Sequence, residues 1–266
     1  MVAGVIVLAF ALRSFHHPSL FRLGSLTLVA ASFLAGWLLG GSLAMGFFLA
    51  LVWLLLPWIE ILTRLRNLRI PAERKLEPWQ APNRDDFPTL SEISSEIESC
   101  GFTQKEDVGW QDEGNRQFYR LFSDERSTSH ACICLAEQGD ISFFYLSITS
   151  RVTNGRAYMT WNYPFPYGLK FSPSLVLNRF SGNRPFQDML AAHTRFLRSH
   201  GVADGGLAPL DAPALIEAMQ KDLRNQIRHN IDTGIIRKDS ENLIRYTARG
   251  LFFLWCQFLR DLVRIF

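Results

Sequence analysis

Charge is missing from a long stretch near the start of this chain, because Leu23 to Ile59 contains no Asp, Glu, Lys or Arg. As one helix these 37 residues would extend about 55 Å, nearly twice the hydrocarbon thickness of a bilayer, about 30 Å. The pair Gly40-Gly41 is the strongest helix break within the stretch. The sequence therefore predicts a membrane protein with an N-terminal transmembrane helical hairpin, whose spans are residues 23–39 and 42–59.

Familiar catalytic motifs are also missing. The sequence has no Gly-x-Ser-x-Gly, no phosphate-binding loop, no dinucleotide fingerprint and no His-Glu-x-x-His. We therefore expect no enzyme activity, no catalytic, cofactor-binding or metal-binding residues, and no cofactor. Cysteine is scarce too, with Cys100, Cys132, Cys134 and Cys256 as the complete set. On the cytoplasmic side of a membrane these thiols are expected to be reduced.

Small residues recur at four-residue spacing on both sides of the Gly40-Gly41 turn. They are Ser32, Gly36 and Gly40 before it, and Ser42, Gly46 and Ala50 after it. Ridges of small residues let two helix backbones approach closely. The spacing favours contact between the two predicted helices, although small residues are also common in membrane helices in general.

Basic residues flank the predicted hairpin and predict its orientation. Arg13 and Arg22 precede it, whereas Arg64, Arg66, Arg69, Arg74 and Lys75 follow it. Because basic flanks stay on the cytoplasmic side, the sequence predicts an integral inner-membrane protein with its C-terminal domain in the cytoplasm. We also expect Arg64, Arg66 and Arg69 to meet anionic lipid headgroups of the bilayer.

The apolar segment 2–12 allows two interpretations. It is shorter than the roughly 17 residues that a spanning helix needs at minimum. It either forms an additional short span or lies at the membrane interface against the hairpin. Its apolar circumference favours the spanning version, because an interfacial helix needs a polar face.

Three regions follow from these patterns. Residues 1–60 form the predicted transmembrane region, 61–84 a basic, proline-containing connector, and 85–266 an α+β domain. In that domain, Thr89 and Glu92 have capping-box spacing at the start of a helix that ends at Gly101. An antiparallel sheet of four or five strands follows, and then C-terminal helices, one of which begins at the predicted cap Asp211. The predicted strands cover 102–110, 117–122, 130–136, 141–149 and 156–163.

Two histidines are the most attractive candidates for chemistry. Strand alternation places His130, Cys132 and Cys134 on one face, which is a zinc-like set of ligand types. Neighbours two apart on a strand are about 6 to 7 Å apart, too far for one extended strand to hold a metal, so buried structural residues are the favoured interpretation. His193 falls in or beside an apolar helix stripe and is expected to be a hydrogen-bonded structural histidine. A catalytic histidine would need a nucleophile beside it, and none is evident in the sequence.

Two further segments carry alternatives. The aromatic, proline-rich segment 163–185 is predicted to be a packed loop over a sheet edge, with a lid or contact surface as the alternative. Residues 235–246 form a predicted basic hairpin, and with the helix beginning at Thr247 it resembles the end of a winged-helix module. No recognition helix pair precedes it, so we do not expect nucleic acid binding. The apolar C-terminal helix is expected to lie on the membrane, to dock on the hairpin or a partner, or to close the domain.

Taken together, these features predict a membrane-anchored binding, scaffolding or accessory-subunit protein that has a protein partner. One alternative is a membrane-tethered enzyme with a pocket near the 163–185 loop. A second is a membrane-bound sensor that uses the winged-helix-like hairpin.

Overall fold

The computed structural model of the chain describes residues 2–14, 18–83, 85–112, 114–138, 141–180, 184–240 and 242–265. It divides the chain into two compact units. The first comprises Met1–Ile70, Pro166–Lys170 and Asn230–Phe266, and the second comprises Pro71–Phe165 and Phe171–His229.

Helices make up most of the first unit. They are α1 (Val2–Arg13), α2 (Pro18–Gly40), α3 (Leu43–Thr63) and a C-terminal helix, α7 (Ala248–Ile265). A tight turn joins α2 to α3 at Gly41, whose φ of 65° lies in the left-handed region that glycine tolerates best. Gly36 and Gly46 bring the two backbones together, since a Cβ on Gly36 would lie 2.9 Å from Gly46 Cα. The predicted turn and the predicted close contact are both confirmed.

The transmembrane assignment of this hairpin is wrong. Among the residues that the structure describes, no helix combines the length and the apolar character needed to cross a membrane. The predicted spans 23–39 and 42–59, the integral inner-membrane location and the orientation inferred from the charges therefore have no support. The spanning version of segment 2–12 fails for the same reason, because α1 has 12 residues.

The C-terminal helix α7 docks on α2 and α3. Its Trp255 ring stacks on Trp58 of α3, with the ring centroids 5.5 Å apart. The helix begins after Thr247, whose Oγ1 accepts a hydrogen bond of 3.0 Å from the Gly250 amide. Of the placements predicted for this helix, docking on the helical hairpin is the one observed.

A small sheet completes the first unit. Strands β9 (Ile236–Ser240) and β10 (Leu243–Tyr246) form the predicted antiparallel hairpin, and the two-residue strand β1 (Ile70–Pro71) adds to β10. The Asp239 carboxylate on this hairpin forms two ion pairs, with Oδ2 3.1 Å from Arg69 Nε and Oδ1 3.0 Å from Arg245 Nε. The carboxylate thus offsets two of the basic charges that suggested a nucleic-acid or lipid surface. Glu241, at the predicted hairpin tip, lies outside the described residues.

A mixed sheet of seven strands forms the second unit. In spatial order its strands are β2 (Glu77–Pro78), β3 (Phe102–Asp112), β4 (Asn115–Asp124), β5 (Ser129–Gln138), β6 (Ile141–Arg151), β7 (Ala157–Trp161) and β8 (Leu175–Arg179). All neighbours are antiparallel except β7 and β8, which are parallel.

The predicted antiparallel sheet of four or five strands is therefore wrong in strand number and type. The five central strands, β3 to β7, were predicted from their apolar and aromatic patterns. The two edge strands come from segments read as irregular, the connector 61–84 and the loop 163–185. β2 has only 2 residues, and the side chains of β8 are all half-buried without alternation, so neither strand has the pattern that indicates a strand.

Helices cover both faces of this sheet. On one, the α4/α5 face, Ala131, Ile133 and Leu135 pack with helices α4 (Leu90–Ser99) and α5 (Phe186–Ser199). On the other, the α6 face, Cys132 and Cys134 belong to a cluster with Leu215 of helix α6 (Ala212–Asp232). The alternation predicted for β5 is confirmed, because period-two side chains on a strand leave the backbone in opposite directions.

The two predicted helix caps in this unit have different outcomes. Asp211 Oδ1 accepts a hydrogen bond of 2.9 Å from the Ala214 amide, so the predicted cap of α6 is confirmed. Thr89 precedes α4 but makes no side-chain cap hydrogen bond, and its ψ of 1° is not the extended conformation that a capping box needs. The predicted capping box is wrong.

Candidate functional site

The zinc-like set on β5 lies in the core. His130, Cys132 and Cys134 are all buried on the α6 face. Desolvation raises the pKa of the Cys134 thiol to about 12 and raises the pKa of Cys132 well above its usual value. Metals bind the thiolate form, which these environments disfavour. In the described part of the chain, no group of three or more His, Cys, Asp or Glu residues is arranged to hold a metal ion.

His130 has a hydroxyl partner that the sequence did not reveal. Its Nδ1 lies 2.9 Å from Ser123 Oγ on the neighbouring strand, and both side chains are buried. Desolvation lowers the pKa of His130 to about 4. The imidazole is therefore neutral at physiological pH and too weakly basic to be a strong general base.

His193 is the hydrogen-bonded structural histidine that was predicted. Its Nδ1 lies 3.0 Å from Thr160 Oγ1 and its Nε2 lies 3.2 Å from Ser150 Oγ. Burial lowers the pKa of His193 to about 4. A serine beside a histidine is the arrangement of a nucleophile and its base, but Ser150 is 0% exposed and no substrate can reach it in this conformation.

The described residues of segment 163–185 that belong to the second unit pack onto the sheet. Tyr163 stacks on Trp161 at a centroid distance of 5.0 Å, and Phe165 contacts Phe143 edge-on at 4.7 Å. The segment also contributes β8, which extends the sheet beyond β7. These contacts support the packed-connector interpretation. Gly182, which lies in this segment, is outside the described residues.

A pocket of about 420 Å³ lies elsewhere, on the α4/α5 face between strands β4 and β5 and the segment 78–86. Two cross-strand pairs form its floor and wall. Phe118 lies opposite Leu135, and two positions along the same strands Arg116 lies opposite Glu137. Phe118 and Leu135 are buried, so the pocket has an apolar base and a charged side.

The opposite wall is fixed by Trp79. Its amide donates to the Asp107 carbonyl at 3.0 Å, which anchors the segment to strand β3. Its indole lies on Gly109, because a Cβ added there would come 2.9 Å from Trp79 Cδ2. Glycine at position 109 is therefore what lets the indole lie flat against the sheet.

The far end of segment 78–86 is held by a turn. The amides of Asp86 and Phe87 both donate to the Asn83 carbonyl, at 3.1 and 3.0 Å. Phe87 is buried and its ring lies 5.1 Å from the ring of Phe144. With Trp79 at one end and Phe87 at the other, the segment is held over the pocket by two anchored aromatic side chains. Arg84, within this segment, lies outside the described residues.

A two-point ion pair dominates the charge of the pocket. Arg116 Nε donates to Glu137 Oε2 at 2.6 Å, and Arg116 Nη2 donates to Glu137 Oε1 at 2.9 Å. The hydrogen bond to Glu137 raises the pKa of Arg116, and the negative charge of Asp86 raises it further. Asp86 also lines the pocket. The described lining thus carries one positive and two negative side chains.

Comparison with protein-family models, curated proteins and solved structures gives no match for this chain. The site therefore has to be judged on its own geometry. Its volume lies in the range of about 300 to 1,000 Å³ that is typical of small-molecule sites, and its lining combines an apolar base with a few converging polar groups.

Sequence reasoning missed this pocket. The prolines of residues 78–83 placed them in the predicted connector, and strands β4 and β5 were predicted from their apolar alternation rather than from their charged residues. One signal was present, since an arginine and a glutamate at the outer ends of adjacent predicted strands are able to pair across the sheet. None of the pocket-lining residues that the structure describes comes from the 163–185 loop, beside which the enzyme alternative placed its pocket.

Proposed function

We propose that this chain acts by binding, and that the pocket of about 420 Å³ between segment 78–86 and strands β4 and β5 holds a small organic ligand. The observation that carries this proposal is the pocket itself: a buried apolar base, Phe118 and Leu135, beside the Arg116–Glu137 pair. Such a lining takes up apolar ligand surface while the polar groups orient the ligand.

Binding is favoured over catalysis by the placement of the titratable groups. His130 and His193, the two buried histidines with hydroxyl partners, do not line the pocket. Catalytic groups belong in a cleft that substrate can enter. The prediction that the protein is not an enzyme stays a prediction, as does the prediction of a protein partner.

Filling the pocket tests this proposal. Ala81 lines the pocket and is exposed, so Ala81→Phe introduces a large side chain without disturbing the core. The matched control is Ala203→Phe, the same change at an exposed alanine outside the pocket. A ligand-observed NMR screen of small fragments against the full chain is the measurement.

We expect several fragments to bind the wild type and Ala203→Phe, and to lose binding to Ala81→Phe. A fragment of about 12 non-hydrogen atoms at about −0.3 kcal/mol per atom would have a Kd in the millimolar range. Fragments that bind Ala81→Phe as well as they bind the wild type would show that the ligand site is elsewhere. A screen without any binder would also contradict the proposal.

A further inference from the structure

We infer that the ligand of this pocket is a small organic cation, whose ammonium group is attracted by the acidic and aromatic side chains of the lining, Asp86 and Trp79 among them; this inference rests on the binding function proposed above. The first argument is the balance of charge. Among the described lining residues, Asp86 and Glu137 are acidic and Arg116 is basic, so acidic groups outnumber basic ones in the described lining. In a concave site with low-dielectric walls, a lining carboxylate attracts a cation more strongly than it does in open water.

The second argument is that the only described lining cation is already engaged. Glu137 occupies Arg116 at two points, with N–O distances of 2.6 and 2.9 Å. Bidentate pairs of this kind are among the strongest hydrogen bonds between side chains. An anionic ligand would have to compete with Glu137 for the guanidinium and would also meet the charge of Asp86. A cationic ligand meets neither obstacle.

The third argument is the aromatic lining. Trp79 and Phe118 both border the pocket. A ligand cation near an aromatic ring is attracted by its quadrupole, most strongly by an indole, and this attraction grows when the cation is shielded from water. Trp79 is held in place by its contact with Gly109 and by the hydrogen bond from its backbone amide to the Asp107 carbonyl, so it is ordered before any ligand arrives. Preorganisation lowers the entropic cost of binding.

Three probes of nearly the same shape separate charge from apolar contact. Choline carries a trimethylammonium group, 3,3-dimethyl-1-butanol is its neutral isostere, and 3,3-dimethylbutanoate is an anion of similar size. Affinities for the full chain are measured by NMR titration. We expect choline to bind at least about fivefold more tightly than the alcohol, and the carboxylate to bind most weakly.

Two variants assign the effect to the pocket. Asp86→Asn removes the charge and keeps the shape, and it should weaken choline binding at least about threefold without changing the affinity for the alcohol. Asp85→Asn is the matched control, because Asp85 is exposed, adjacent in sequence and absent from the pocket lining. It should leave the choline affinity unchanged.

Equal affinities for choline and the alcohol would overturn the inference, and so would tightest binding of the carboxylate. Those two outcomes leave the proposed binding function standing, since a ligand still occupies the pocket. If fragments bind but choline does not, the inference is likewise overturned and the proposed binding function still stands. If neither fragments nor the three probes bind, the proposed function and the inference both fail.

Discussion

Acid should destabilise the second unit through its two buried histidines. Burial lowers the pKa of His193 from 6.5 to about 4, and the same holds for His130. Between these values the unfolded chain takes up a proton at each histidine and the folded chain does not. The contribution of the two neutral histidines to the free energy of unfolding is therefore complete above about pH 6.5, and it is lost progressively as the pH falls toward about 4.

The size of this contribution to the free energy of unfolding follows from the difference between the unfolded and folded pKa of each histidine. At 1.36 kcal/mol per pKa unit, the change from 6.5 to about 4 gives about 3 kcal/mol for His193. Within the window, one histidine contributes a slope of up to about 1.4 kcal/mol per pH unit to the free energy of unfolding. His130 should contribute a similar slope, because its pKa is also about 4.

His193→Gln isolates one of the two contributions. The variant will change the absolute stability, since it alters the bonds to Thr160 and Ser150, but it also removes one titrating group. Toward the acid end of the window, we expect the slope of unfolding free energy against pH to be lower than in the wild type by up to about 1.4 kcal/mol per pH unit. His200→Gln, the same substitution at an exposed position just after the same helix, is the matched control for the change of residue type.

The assay must report on the second unit alone. Urea unfolding of the full chain between about pH 5 and about pH 7, followed by pulsed hydrogen exchange at one fixed pH, gives the unfolding of β5 and β6 peptides by mass spectrometry. An unchanged slope in His193→Gln would refute the reasoning, because it would mean that folding does not alter proton uptake at this histidine.

Two further predictions concern packing and thiol accessibility. Gly250→Ala should destabilise the first unit by at least about 2 kcal/mol, because the new Cβ would overlap the Ile235 carbonyl oxygen. Thermal unfolding measures this loss of stability. The control Gly205→Ala should be tolerated, because a Cβ at that position meets nothing within 4 Å. In native protein, a thiol reagent should modify the exposed Cys256 rapidly but not the buried Cys134, because burial raises the pKa of the Cys134 thiol to about 12. Peptide mass spectrometry measures the labelling, and equal labelling of both cysteines would contradict this prediction.

Local patterns predicted much of the regular structure. The helix turn at Gly41, the cap of α6 at Asp211 and the alternation along β5 each depend on residues close together in the sequence, and each is observed. The transmembrane assignment failed although it used the strongest local signal in the chain. A charge-free run indicates where helices form and turn, but it does not guarantee that a helix has the length and apolar character that crossing requires.

The pocket illustrates the opposite case. Arg116 and Glu137 are 21 positions apart and become partners only through the register of β4 and β5. Trp79 reaches the same site because β2 pairs with β3 and places Gly109 beneath the indole. No periodicity within segment 78–86 indicates either contact.

The same division applies to the two histidines. Sequence alone determined that His193 lies at the apolar side of a helix and that His130 shares a strand face with two cysteines. Only the tertiary structure decided that each meets a hydroxyl, Ser150 for one and Ser123 for the other, in a buried site. Side-chain periodicity is a property of the local backbone, whereas strand register and helix docking are set by the joint burial of distant segments. The helices and strands of the chain are thus determined by local sequence, whereas its pocket forms only once those distant segments have packed together.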